Sequence, residues 1–145
     1  MKYASCGGRK AVEGRYFTLP NELFHLGLTA GEIATYAYLL YCEDRGTYQC
    51  RPSFAKIGGA IRKTKNTVKK YVDGLRDKGL IQTEPTTKIA KDGTVLNGNL
   101  LYTILPIENA VQIYNDAQMA AAGIERQRQL VLRRAKQRGV DIRAG

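Results

Sequence analysis

The apolar residues of this chain change their period once, and that change limits the fold more than any other feature. Between Thr29 and Lys78 they recur at intervals of three and four residues, and beyond Gly79 they alternate. The first pattern gathers apolar side chains on one face of a helix and the second on one face of a strand. Three helical segments come first. Thr29, with Glu32 three residues later, makes a capping box. Ile33, Tyr36, Ala37, Leu40 and Tyr41 follow at helical spacing, with a helix end near Glu43 and a turn at Asp44-Arg45-Gly46. Arg51-Pro52-Ser53 opens a second helix whose apolar face is Phe54, Ile57 and Ile61. After a break at Arg62-Lys63, Thr64 caps a third helix in which Val68, Val72 and Leu75 face inward. Lys78-Gly79 closes it, a cation in the last turn and then a glycine suited to the left-handed position.

The alternating runs cover 80–87 and 100–105. In the second, Leu101, Thr103 and Leu105 share one face and Leu100, Tyr102 and Ile104 the other. Asp92-Gly93 and Asn97-Gly98 lie between them and are hairpin-turn dipeptides, so the segment predicts a β-hairpin with a long, flexible tip. Upstream, 16–19 reads as a short strand stopped by Pro20, and Asn21 as the cap of a brief turn carrying Leu23 and Phe24. Downstream of Pro106, Ile107, Val111, Tyr114 and Ala121 recur, and the run Ala120 to Ala122 favours helix, with Gly123 a candidate interruption. The expected fold class is α+β, mainly α: a winged helix-turn-helix, with a three-helix core, a β-hairpin wing and a C-terminal helix. The expected division is a flexible basic arm over 1–15, the winged domain over 16–106, and a C-terminal helix and basic tail over 107–145.

Charge then suggests a partner. Lys and Arg number 23 against 13 Asp and Glu, a net charge of +10. Such an excess attracts polyanions by counterion release, although solubility alone also asks for net charge. The third helix carries Lys65, Asn66, Thr67, Lys69, Lys70 and Arg76 on its outward side. Lysine reaches guanine acceptors or phosphates, asparagine pairs with adenine, and threonine meets a base edge or the thymine methyl. These groups sit at the N-terminal end, where recognition helices meet bases. Residues 124–145 hold seven cations against Glu125 and Asp141. That stretch reads equally as a phosphate-binding arm or as a solvated helix or tail.

The segments LTAGEIATYAYLLY, RPSFAKIGGAI and TKNTVKKYVDGLRDKGLI resemble the winged helix-turn-helix domains of bacterial DNA-binding proteins. With YFTLPNELFHLGL and EPTTKIAKDGTVLNGNLLYTILPI, the chain over roughly 16–107 is also similar to the N-terminal domain of replication initiator proteins of plasmids and mobile elements from Gram-positive bacteria. The resemblance implies that Lys65, Asn66, Thr67 and Lys69 contact bases and that Lys70 contacts the backbone. It places Lys88 and Lys91 in the wing and Ser53 at a phosphate. The family's glycine–apolar–serine turn reads Arg62-Lys63-Thr64 here, which adds two cations beside the phosphate path, with Gly58-Gly59 a source of compensating freedom. The implied function is sequence-specific double-stranded DNA binding, in replication initiation or transcription regulation on a plasmid or mobile element. A protein-interaction module on the same fold is the alternative. A homodimer would suit a two-fold operator, and the apolar positions between Ile107 and Ala121 either pack on the domain or meet a second copy.

Other classes find little support. No apolar run reaches a membrane-spanning length and the first residues lack a secretory pattern, so a cytoplasmic location is expected. Cys6, Cys42, Cys50 and His25 lack the short spacing of a zinc site; Cys42 reads as a small buried side chain and His25 as a satisfied structural histidine. Metalloprotease, nucleophile-elbow and phosphate-loop motifs are missing, and Glu43, Asp44 and Asp92 read as solvated turn carboxylates. No enzyme activity, cofactor, metal or small-molecule substrate is expected.

Overall fold

The computed structural model describes residues 15–138. The expected arm over 1–15 lies, but for Arg15, outside the described residues, as do Cys6 and the last residues of the basic tail. A 3-10 turn (Asn21–His25) leads to α1 (Ala30–Cys42), β1 (Gln49–Cys50), α2 (Phe54–Ile61) and α3 (Lys65–Asp77). Then come β2 (Ile81–Glu84), β3 (Thr87–Ile89), β4 (Val95–Asn97), β5 (Leu101–Ile104) and α4 (Ile107–Gln137). No strand forms over 16–19, and Pro20, not Asn21, stands at the cap of the 3-10 turn. That turn buries Leu23 and leaves Phe24 and His25 exposed, where the sequence suggested a satisfied structural histidine.

Local side-chain hydrogen bonds set the helix starts. Thr29 Oγ1 accepts from Glu32 N at 3.2 Å while Thr29 N donates to Glu32 Oε1 at 2.8 Å. Ser53 Oγ accepts from Lys56 N at 3.0 Å, and Thr64 Oγ1 from Thr67 N at 3.3 Å. Each bond satisfies a donor that a helix N-terminus otherwise leaves open. At the end of α3, Gly79 takes φ +80°, so that Gly79 N reaches Arg76 O at 3.1 Å and Leu80 N reaches Leu75 O at 3.0 Å. This pair of bonds is a Schellman motif; it ends the helix and turns the chain into β2.

The core joins Tyr36 and Leu39 of α1, Ile57 of α2, Val68, Val72 and Leu75 of α3, Leu80 just ahead of β2, and Ile81 and Tyr102 of the sheet. On α1 the buried face is Glu32, Thr35, Tyr36 and Leu39, so it is rotated from the expected Ile33–Tyr41 stripe, sharing Tyr36 with it and leaving Leu40 packed at its margin; Tyr41 is exposed and pairs with Phe17 and Tyr38. The helices cross where side chains are missing. A Cβ on Gly31 would overlap the Tyr71 ring, and one on Gly74 the Glu32 carboxylate.

The sheet is antiparallel in the order β1-β5-β2, with Cys50 opposite Tyr102 and Gln82 opposite Thr103. β1 carries the thiol that the fold buries, while Cys42 stays half-buried. The expected flexible tip is instead a second two-stranded sheet, with Thr87 opposite Asn97 and Ile89 opposite Val95. Its turn closes through Ala90 N to Thr94 O at 2.8 Å, with Gly93 at φ +87°. Asn97-Gly98 makes no hairpin turn; Gly98 N donates to Thr86 O at 2.8 Å. α4 runs through Gly123 without a break. The architecture is a winged helix-turn-helix, α+β and mainly α, with a C-terminal helix.

Candidate nucleic-acid interface

The turn between α2 and α3 determines where the first residues of α3 point. Arg62 adopts φ 59° and ψ 50°, the left-handed conformation usually given to glycine, at a cost of about 1–2 kcal/mol. Gly58 makes the turn possible in a different way. Its carbonyl accepts from Lys63 N at 2.9 Å, and a Cβ at Gly58 would overlap the Lys63 carbonyl. Gly59 faces open space. The compensation expected from Gly58-Gly59 is therefore room at one residue, and backbone freedom at neither.

From this turn, Arg62, Lys63, Thr64, Lys65 and Asn66 form one continuous exposed edge, and Thr67 is half-buried beside it. Gly58, Gly59, Arg62, Lys63 and Thr64 line an open depression at the start of α3. Lys70 follows Asn66 by one helical turn on the exposed side. Arg62, Lys63, Lys65 and Lys70 take no part in the ion pairs formed among the described residues.

Lys69 is placed differently. Its Nζ lies 3.1 Å from Asp73 Oδ2, and the other oxygen of Asp73 accepts from Arg76 Nη2 at 3.1 Å. Arg76 also donates to Thr83 on β2 at 3.2 Å. Two of the six outward groups are thus tied to a carboxylate. The sequence reading passed over Asp73, although its positions four after Lys69 and three before Arg76 are the signal for such pairing. Lys78 is tied more tightly still, at 2.6 Å from Glu32 Oε1, whose side chain is 7% exposed.

The remaining residues lie on other elements. Ser53 serves as the α2 cap and borders a cavity of about 140 Å³ shared with Asn99 and Tyr102 at the base of the wing. Lys88 lies on β3 opposite Leu96, and Lys91 in the tip turn, both exposed. The tip also exposes Ile89 and Val95. Asp92 Oδ1 accepts from Thr94 N at 2.9 Å, and its hydrogen bonds to Thr94 hold its carboxyl below the usual carboxylate range. Glu43 is not solvated as expected. It is half-buried, its Oε2 has no partner, and burial pushes its carboxyl up while Arg45 opposes the shift. Burial pushes the Cys50 thiol up to about 12, and the thiol donates to Leu39 O at 3.6 Å. Among the described residues no group of three His, Cys, Asp or Glu side chains is arranged to hold a metal ion, and no helix is long and apolar enough to cross a membrane.

The chain matches no protein-family model and no curated protein. Its fold is similar to those of several solved transcription regulators. A possible transcriptional regulator from Methanosarcina mazei Go1 is 19% identical, with 71% of this chain and 80% of that one covered, at a TM-score of 0.46. A complex of S. aureus MepR with DNA is 16% identical, covering 81% and 84%, at 0.38. The zinc-responsive MarR family member ZitR of Lactococcus lactis is 15% identical, covering 89% and 78%, at 0.41.

Proposed function

We propose that this protein binds double-stranded DNA in a sequence-specific way, with α3 entering the major groove and the wing tip reaching the adjoining backbone. The observation that carries the reading is the edge from Arg62 to Asn66 with Lys70. There, cations and an amide stand exposed, clear of ion pairs, at a helix N-terminus. Unpaired backbone N–H groups and the helix dipole add positive potential at the same end. Lys65 and Asn66 are the base readers, and Thr67 a subsidiary one because its hydroxyl is shared with Thr64 at 3.0 Å. Arg62, Lys63, Lys70, Lys88, Lys91 and the Ser53 end of α2 hold phosphates. Lys69 contributes to bases only by leaving Asp73. Replication initiation or transcription regulation on a plasmid or mobile element is the process this activity would serve.

Footprinting on the parent element and selection from a random duplex pool test the reading together. A protected site and an enriched sequence are expected, with affinity falling by a log–log salt slope of roughly 0.9 per phosphate neutralised. Lys65→Ala and Asn66→Ala should each cost about 1–3 kcal/mol of discrimination. Equal affinity for every duplex would defeat sequence reading. Full activity after charge reversal at Lys65 and Lys69 would point to a protein-recruiting module.

A further inference from the structure

Among the described residues the exposed apolar side chains sort by type along the chain. Every exposed Tyr or Phe ring lies between 16 and 48, and every exposed Ile, Leu, Val or Met side chain from Ile89 onward. Two of the rings form a cluster with a third that is half-buried. Phe17 and Tyr41 stand 6.1 Å apart between ring centroids, and Tyr38 and Tyr41 5.8 Å. Tyr41 is 68% exposed although it belongs to a core helix.

Tyr48 lies in the turn after α1, where its N donates to Asp44 O at 2.6 Å, and it adopts φ 59°. That region suits glycine and, to a degree, asparagine; a bulky side chain is an outlier in it. Packing does not repay the strain, since the ring is 59% exposed. Strain of this kind collects at binding sites.

Charge indicates what the rings meet. Arg15 lies two residues before Phe17, Arg45 four after Tyr41 and Arg51 three after Tyr48. All three are exposed and outside the ion pairs formed among the described residues. Of the carboxylates beside them, Glu43 is half-buried and Asp44 Oδ1 accepts from Gly46 N at 2.7 Å. Rings interleaved with guanidinium groups suit a single strand of nucleic acid, whose unpaired bases stack on the rings while its phosphates meet the cations. A duplex keeps its bases stacked on one another and offers these rings no face. A protein-docking face would centre on a continuous apolar core, whereas the exposed aliphatic side chains are confined to the wing and α4.

We infer that Phe17, Tyr41 and Tyr48, with Arg15, Arg45 and Arg51, form a second nucleic-acid site, which takes single-stranded DNA. The choice of DNA over RNA rests on the duplex-binding reading above; the stacking surface does not.

Fluorescence anisotropy on the full chain tests this, with a labelled oligothymidylate of about 12 nucleotides, within the range of single-strand sites. Micromolar binding that weakens with salt is expected. Tyr41→Ala and Tyr48→Asn should each weaken it about tenfold, the scale of one lost base stack, and Tyr41→Phe should keep it. Tyr48→Asn should also raise the melting temperature, because asparagine accepts the left-handed backbone at less cost. Duplex affinity should be unchanged in these variants, and Lys65→Ala should leave oligothymidylate binding intact, so the two sites fail separately. Single-strand affinity indifferent to Tyr41→Ala and Tyr48→Asn would overturn the proposal, as would its loss with Lys65→Ala. A melting temperature that falls with Tyr48→Asn would assign that ring to the fold and overturn it too. So would oligouridylate RNA bound more tightly than oligothymidylate, or no single-strand binding at high micromolar concentration, which would leave the face to a protein partner.

Discussion

The two halves of α3 carry the same side-chain types to different ends. In the first half Lys65, Asn66 and Lys70 are exposed and outside the ion pairs, while in the second Asp73 holds Arg76 and reaches back one turn to Lys69. Just past the helix end, Lys78 is bound to the buried Glu32. Lys65 and Lys70 are available charge, Lys69 between them is tied to Asp73, and Lys78 past the helix end is part of the scaffold. A count of cations overstates what a polyanion can use, because like residues differ by whether a carboxylate stands one turn away or across a helix crossing.

The largest expected effect comes from removing the turn that separates the exposed edge from the core. Gly58→Ala forces a Cβ into the Lys63 carbonyl and should cost about 3 kcal/mol in urea denaturation, while Gly59→Ala, facing open space, should be neutral or stabilising. Lys78→Met comes next. It leaves the Glu32 carboxylate nearly buried without its cation, and because Lys78 is itself 36% exposed the loss should be about 2 kcal/mol, below that of a fully buried pair. DNA affinity per folded molecule should be unchanged; a fall in affinity equal to that of Lys70→Ala would erase the distinction between the halves. Lys70→Ala should weaken all duplexes alike and lower the salt slope by about 0.9, with thermal stability held. The smallest effect belongs to Asp73→Asn. It releases Lys69 and Arg76, and should raise non-specific affinity up to about threefold while costing under ~0.5 kcal/mol of stability.

Much of the fold was legible because its signals are short. The caps at Thr29, Ser53 and Thr64 each join residues three apart, and the stop at Gly79 spans six, so the pattern of residue types nearly specifies the bond. The candidate edge was legible for the same reason, since Val68, Val72 and Leu75 define the inner side of α3 and hence its outer side. The largest misreading falls where distant segments decide. The true inner face of α1 follows from where α3 crosses it, and that crossing buries Glu32, a residue any local reading leaves in water. The wing tip looked mobile because its strands are only three residues long and wholly exposed, too short for alternation to register; pairing across the turn is what orders them. Gly123 looked like a break, but a single glycine costs a helix only about 1 kcal/mol, and the residues on either side favour continuation.

The sequence by itself determined the order of the three core helices and the wing, the caps of α1, α2 and α3, the stop at Gly79, and the side of α3 that carries exposed lysine and asparagine, because these follow from contacts between residues about a turn apart. Tertiary structure alone decided that Lys78 is held by the buried Glu32, which face of α1 turns inward, and that α4 leaves the body after its first turns. Those outcomes depend on distances between segments far apart in the chain, and such distances are set only when the helices pack.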